Sequence, residues 1–284
     1  MKYYMADYCF NVDDIVGEHD DFGISIDFDG NLVLLAEKKE KRKYMYTIFH
    51  FLESEIKKIY IPKVKNSYTY AQPIDENWLL VSSRTDYEDK LNATIYDIYG
   101  TFLEKFSLDD AIEDVQTTKS SNIWVSYFDE NMNSGLSCFN NKGKLSFNFS
   151  EYVRQTNNQL PYIDDCYALN VTSDETVYIY YYSDFPLVKL TKNSFDIIRN
   201  IPIKGSSAFA IHKDYSLFEN GYNQNGKMHL FSMTNKSLKS FYLLDKNGKV
   251  LNYDYAVARG SKLYFIKEKE IYFLNLEELL KSIN

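Results

Sequence analysis

The stretch Ile163–Leu190, IDDCYALNVTSDETVYIYYYSDFPLVKL, decides the fold. It holds two short runs rich in β-branched and aromatic residues, with a polar turn between them. That is the signature of a hairpin. Acids stand at both ends: Asp164 and Asp165 before it, Asp184 after it.

The same unit recurs along the chain: a strand, a polar turn of two to five residues, then a more apolar strand. It reads GISIDFDGNLVLLAE, YTYAQPIDENWLLVSS, VQTTKSSNIWVSYF, CYALNVTSDETVYIYYY, AFAIHKDYSLFEN and YAVARGSKLYFIKE. Its second strands start near Asn31, Asn77, Asn122, Thr176, Tyr215 and Lys262. A period of about 40–50 residues with about four strands per copy is that of propeller blades. Each such sheet has two apolar faces that only neighbouring sheets can cover.

The expected fold class is all-β, a six-bladed β-propeller with a short C-terminal helix. One domain spans 1–284, with blades over roughly 22–66, 67–110, 111–155, 156–204, 205–253 and 254–275. The last blade shows three strands, so a strand over 2–10 is expected to complete it and cover an open edge. Helical periodicity is almost absent before the last ten residues. There, 276–284 reads as a helix capped by Asn275, with Leu276, Leu279, Leu280 and Ile283 on one stripe. The register between Lys227 and Tyr253 stays open.

Composition agrees with β structure. The chain of 284 residues is 17% aromatic, with 26 Tyr and 19 Phe, residues that suit pleated, half-buried surfaces. A net charge of −8 disfavours nucleic acid and anionic membranes as partners. The locally basic run Glu37–Lys43 reads as a solvated hairpin end. The beginning lacks the apolar core of a signal peptide, and no apolar run is long enough to span a membrane. Three scattered Cys make no disulfide framework. A cytoplasmic protein is expected.

Loops entering a blade's first strand and leaving its second share one propeller face. They carry Glu113, Asp114, Asp129, Glu130, Asp164, Asp165 and Asp184, flanked by Trp124, Tyr127, Tyr162, Tyr167, Tyr181, Tyr182 and Phe185. The expected ligand-binding set is Asp129, Asp164, Asp165, Tyr167, Tyr182, Asp184 and Trp124. Clustered carboxylates suit a hard divalent cation such as calcium. Carboxylates beside exposed rings suit a small polar ligand, a sugar or a protein loop. Two carboxylates with separated pKa values would suit acid/base work. The reading is a ligand- or protein-binding module with an acidic, aromatic-rich channel face. The alternative is a metal-assisted hydrolase or lyase acting on a sugar-like or lactone substrate in the central channel. Plain solvated loop acids are the third possibility.

Cys166 reads as a buried, inert thiol, since a nucleophile needs a nearby base and His212 is the one candidate. The four His are too scattered for a zinc motif. Arg259, at the end of an inner strand, could neutralise channel acids. The DDCYALNV…VYIYYYSDFPLVKL stretch, with NIWVSYFDENMNSGLSCF before it, resembles a group of uncharacterised bacterial proteins with a propeller-like repeat. The likeness covers about residues 111–203 and implies a propeller, with no known activity. Richness in Lys, Asn, Ile and Tyr fits an AT-rich bacterial genome.

Overall fold

Strand by strand, burial follows a gradient across each sheet. Inner strands are apolar on both faces: Asn77–Val81, Ala93–Tyr96 and Leu136–Phe139 are almost wholly buried. Outer strands such as Ile56–Val64, Phe102–Phe106 and Leu145–Asn148 are largely exposed. A strand buried on both faces must have a second sheet on each side. The computed structural model describes residues 2–131, 134–157, 159–192, 194–222 and 226–283, and these form six sheets, the blades of a β-propeller.

The chain divides into two units. The first is Glu18–Cys166 with Ser173–Glu175. It holds blade one (Asp21–Ile26, Leu32–Glu40, Lys43–Phe51, Ile56–Val64) and blade two (Tyr70–Ile74, Asn77–Val81, Ala93–Tyr96, Phe102–Phe106). It also holds blade three (Ile112–Thr117, Ile123–Tyr127, Leu136–Phe139, Leu145–Asn148). The period of two is visible in blade two. Trp78 and Leu80 pack with Val33, Leu35 and Ile48 of blade one, whereas Leu79 and Val81 pack with Val115, Ile123 and Val125 of blade three. The run Glu37–Lys43 is the end of a hairpin, with Glu40 opposite Lys43.

The second unit is Met1–Gly17, Tyr167–Thr172 and Thr176–Asn284. Blade four has strands Asp165–Ser173, Thr176–Tyr182, Leu187–Thr191 and Phe195–Ile198, of which Asp165, Cys166 and Ser173 fall with the first unit. Blade five has Phe209–His212, Tyr215–Glu219, Lys227–Ser232 and Leu238–Leu244, which settles the open register. Blade six has Tyr255–Arg259, Lys262–Lys267 and Glu270–Asn275. Leu217 packs with Leu263 and Phe265 of blade six, and its neighbour Phe218 packs with Tyr178 and Tyr180 of blade four.

The N-terminal residues make two strands where the sequence suggests one. Lys2–Met5 pairs in parallel with Leu238–Leu244 of blade five. Ala6 donates its N–H to Leu244 O at 3.0 Å, and Asp7–Asn11 then pairs antiparallel with Glu270–Asn275 of blade six.

Helix is not confined to the C-terminus. Val12–Val16 and Phe149–Gln155 are helical, too short to show a period. Asn148 caps the second, its Oδ1 accepting Glu151 N–H at 3.0 Å, in the N-x-x-E spacing of a capping box. The C-terminal helix runs Leu276–Ile283, with Leu276, Leu279 and Leu280 buried; residue 284 lies outside the described residues. Asn275 Oδ1 accepts Glu277 N–H at 3.0 Å.

Candidate functional site

The acids of the first unit gather around the inner end of blade three. Ile112 pairs with Tyr127 and Asp114 with Ser126, so Glu113 is an extra residue in the ladder. Such a bulge re-aims a side chain out of the regular alternation. Asp114 is turned inward: Oδ1 accepts Val115 N–H at 2.7 Å and Oδ2 accepts the Gln116 amide at 2.9 Å. Glu113 is exposed to water, yet protein crowds round it, as for a group in a recess. Loss of hydration there, then the charges of Asp114 and Asp165, push its carboxyl up to about 7. Asp165, half-buried, is also raised, first by loss of hydration and then by Asp129. Behind them Ser126 is fully buried, its hydroxyl beside the Cys166 thiol.

Asp129, Asp165, Glu113 and Asp114 therefore form one electrostatically coupled group. Asp164, just before Asp165, is exposed. Trp124 stands half-buried in the second strand of blade three with its ring on Phe147, at 5.4 Å between centroids. Its indole N–H has no partner among the described residues. Beside the acids, Arg84 binds Glu130 at 2.5 Å and lies over the Phe128 ring at 4.4 Å.

Cys166 is fully buried and its thiol is pushed well above the ordinary range, by burial first and then by Glu113, Asp165 and Asp114. A thiol held protonated among carboxylates is a poor nucleophile. Among the described residues no group of three His, Cys, Asp or Glu side chains is placed to hold a metal ion. That donor set among the described residues does not fit calcium, which takes six to eight oxygens.

The second unit holds two of the expected aromatic residues, Tyr167 and Tyr182, in one ring cluster. Tyr167, Tyr182 and Tyr222 all set ring edges against Phe185, at 5.2, 5.6 and 5.9 Å. The hydroxyls of Tyr167 and Tyr222 lie 2.6 Å apart. Tyr182 is 45% exposed, and Asp184 is exposed in the turn after it. Nearby in sequence to Tyr222, Glu219 is buried and accepts from Ser207 N–H at 2.7 Å and Tyr253 hydroxyl at 2.5 Å. Arg259 is buried and its Nε donates to Val171 O at 3.3 Å, a tie to backbone. His212 Nδ1 lies 3.8 Å from Glu277 on the C-terminal helix.

Of the expected set, Asp129 and Asp165 come together here, joined by Glu113 and Asp114, which stood in the same loops but outside that set. The two-for-one ladder that exposes Glu113 has no turn residue to announce it.

Comparison with solved structures gives the fold. The WD40 domain of Neurospora crassa Pan2 is similar at a TM-score of 0.50 and 11% identity, over 88% of this chain and 87% of that one. Hsv2 of Kluyveromyces lactis is similar at a TM-score of 0.51 and 12% identity, over 89% of this chain and 72% of that one. At such identities the likeness concerns fold alone. No curated protein matches the sequence. Residues 136–274, just under half of the chain, match the YxzG family, a stretch that includes the Ile163–Leu190 hairpin.

Proposed function

We propose that this propeller is a cytoplasmic binding module whose acidic recess takes a cationic group, an amine or guanidinium of a small polar ligand or of a protein loop. One observation carries the reading: Glu113 is held near neutrality by crowding and by Asp114 and Asp165. A recess that keeps an extra proton because Glu113 is poorly hydrated there, and secondarily because Asp114 and Asp165 repel its charge, is relieved by an incoming positive charge. Propellers host both binding and catalysis, so the site, not the fold, supports the choice. Asp129 and Asp165 supply the remaining charge. The exposed ring of Tyr182 and the carboxylate of Asp184 form a contact surface of their own.

Calorimetry with spermidine and a Lys-rich hexapeptide tests this. Because a bound cation favours ionised Glu113, affinity rises about tenfold between pH 6 and pH 8, with release of a proton. Glu113→Gln abolishes the pH dependence, and Asp165→Asn weakens binding at both pH values. No binding at millimolar levels, or binding of equal strength across this pH range, contradicts the reading.

A further inference from the structure

A cavity of about 360 Å³ opens within the second unit, between the outer half of blade four and two turns of blade five. Its apolar wall is Leu187 and Ile198 of blade four with Met233 of blade five. Tyr178 also lines it, is only 8% exposed, and its hydroxyl has no hydrogen-bond partner among the described residues. Two cations stand with it. Lys189 holds its ammonium over the Tyr178 ring, 6.0 Å from the centroid, and Lys213 sits on the tight turn His212–Tyr215. Neither ammonium is in an ion pair with a carboxylate among the described residues.

The two acids at the cavity differ in what they can do. Asp214 is engaged within blade five: Ser232 hydroxyl donates to Oδ2 at 2.7 Å, Thr234 hydroxyl donates to Oδ1, and the carboxyl is held below its ordinary range by these bonds. It orders the turn and is a weak competitor for a cation. Asp196 is the strand partner of Lys189 and is exposed at the mouth.

A tyrosine hydroxyl facing the cavity, two ammonium groups outside any ion pair among the described residues and an apolar wall are the parts of a small-molecule site. We propose that this cavity binds a small organic anion, its carboxylate or phosphate on Tyr178, Lys189 and Lys213 and its apolar body against Leu187, Ile198 and Met233. The site does not rest on the acidic recess, and it takes ligands of the opposite charge.

Three probes test it on the full chain: phenyl phosphate, hexanoate and neutral benzyl alcohol, titrated against protein carrying ¹³C-methyl methionine. Either anion shifts the Met233 methyl saturably and leaves Met45 in blade one still. Lys189→Gln/Lys213→Gln weakens both anions at least tenfold and leaves benzyl alcohol unchanged. Tyr178→Phe weakens them about fivefold. Asp196→Asn, which removes the opposing charge, tightens them. An unfolding scan of each variant checks that the fold is retained, and the tightening by Asp196→Asn cannot arise from damage. An unmoved Met233 methyl at 10 mM of both anions overturns the site. So does equal affinity of wild type and the double lysine variant, or weaker binding by Asp196→Asn.

Discussion

His229 is 4% exposed in the third strand of blade five. Its Nδ1 lies 2.9 Å from the Ser240 hydroxyl across the ladder, and its Nε2 has no partner among the described residues. Burial, then Lys227, pulls its pKa down to about 4 from 6.5. Between those values the folded state binds fewer protons than the unfolded chain. The stabilisation is therefore full above pH 6.5 and is lost as pH falls towards 4. At 1.36 kcal/mol per unit the loss reaches on the order of 3 kcal/mol at the acid end. Urea midpoints of wild type and His229→Leu at pH 4.5 and pH 7 check this. The gap in stability between the two pH values shrinks in the variant, and an unchanged gap refutes the assignment.

At the scale of elements, the N-terminal residues are a strap within the second unit. They add an outer strand to blade five and another to blade six, joined through buried Ala6. Its end is fixed by Val12 N–H donating to Lys269 O at 2.8 Å and by Lys269 on Asp13 at 2.8 Å. Deleting residues 2–11 uncovers both sheet edges. At about 1 kcal/mol per ladder hydrogen bond the melting temperature falls by about 10 °C or more. A calorimetric shift under 2 °C would show that the strap contributes little. The need for a closing strand was legible from the three strands of blade six. The division into two strands was not, because KYYMADYCF contains no Gly or Pro to break it and only pairing partners split it at Ala6. Turns were plainer. Asp27, Asp97, Asn140 and Asp245 each accept two backbone N–H groups on Oδ1 ahead of a glycine three residues on. Those glycines, Gly30, Gly100, Gly143 and Gly248, have φ of 83°, 78°, 69° and 75°. At Gly100 a Cβ would meet Tyr60 O at 1.9 Å, so no other residue fits.

For the whole molecule, six repeated hairpins with doubly apolar strands carried the fold. Two apolar faces per sheet leave few architectures, so the pattern alone is informative. The site was legible only in part. Loop position picked out Asp129 and Asp165, but whether acids converge depends on side-chain direction, which a bulge reversed at Glu113. Trp124, expected among the ligand contacts, packs its ring at a tilt against Phe147 in its own sheet. The binding account stands on a poorly hydrated Glu113 carboxyl that also faces the charges of Asp114 and Asp165 in the first unit. A ¹³C-detected carboxyl titration of Glu113 tests it most directly. The account predicts a midpoint near 7 that drops when Asp165 is replaced by Asn. A midpoint at the ordinary 4.5, unmoved by that substitution, would contradict it.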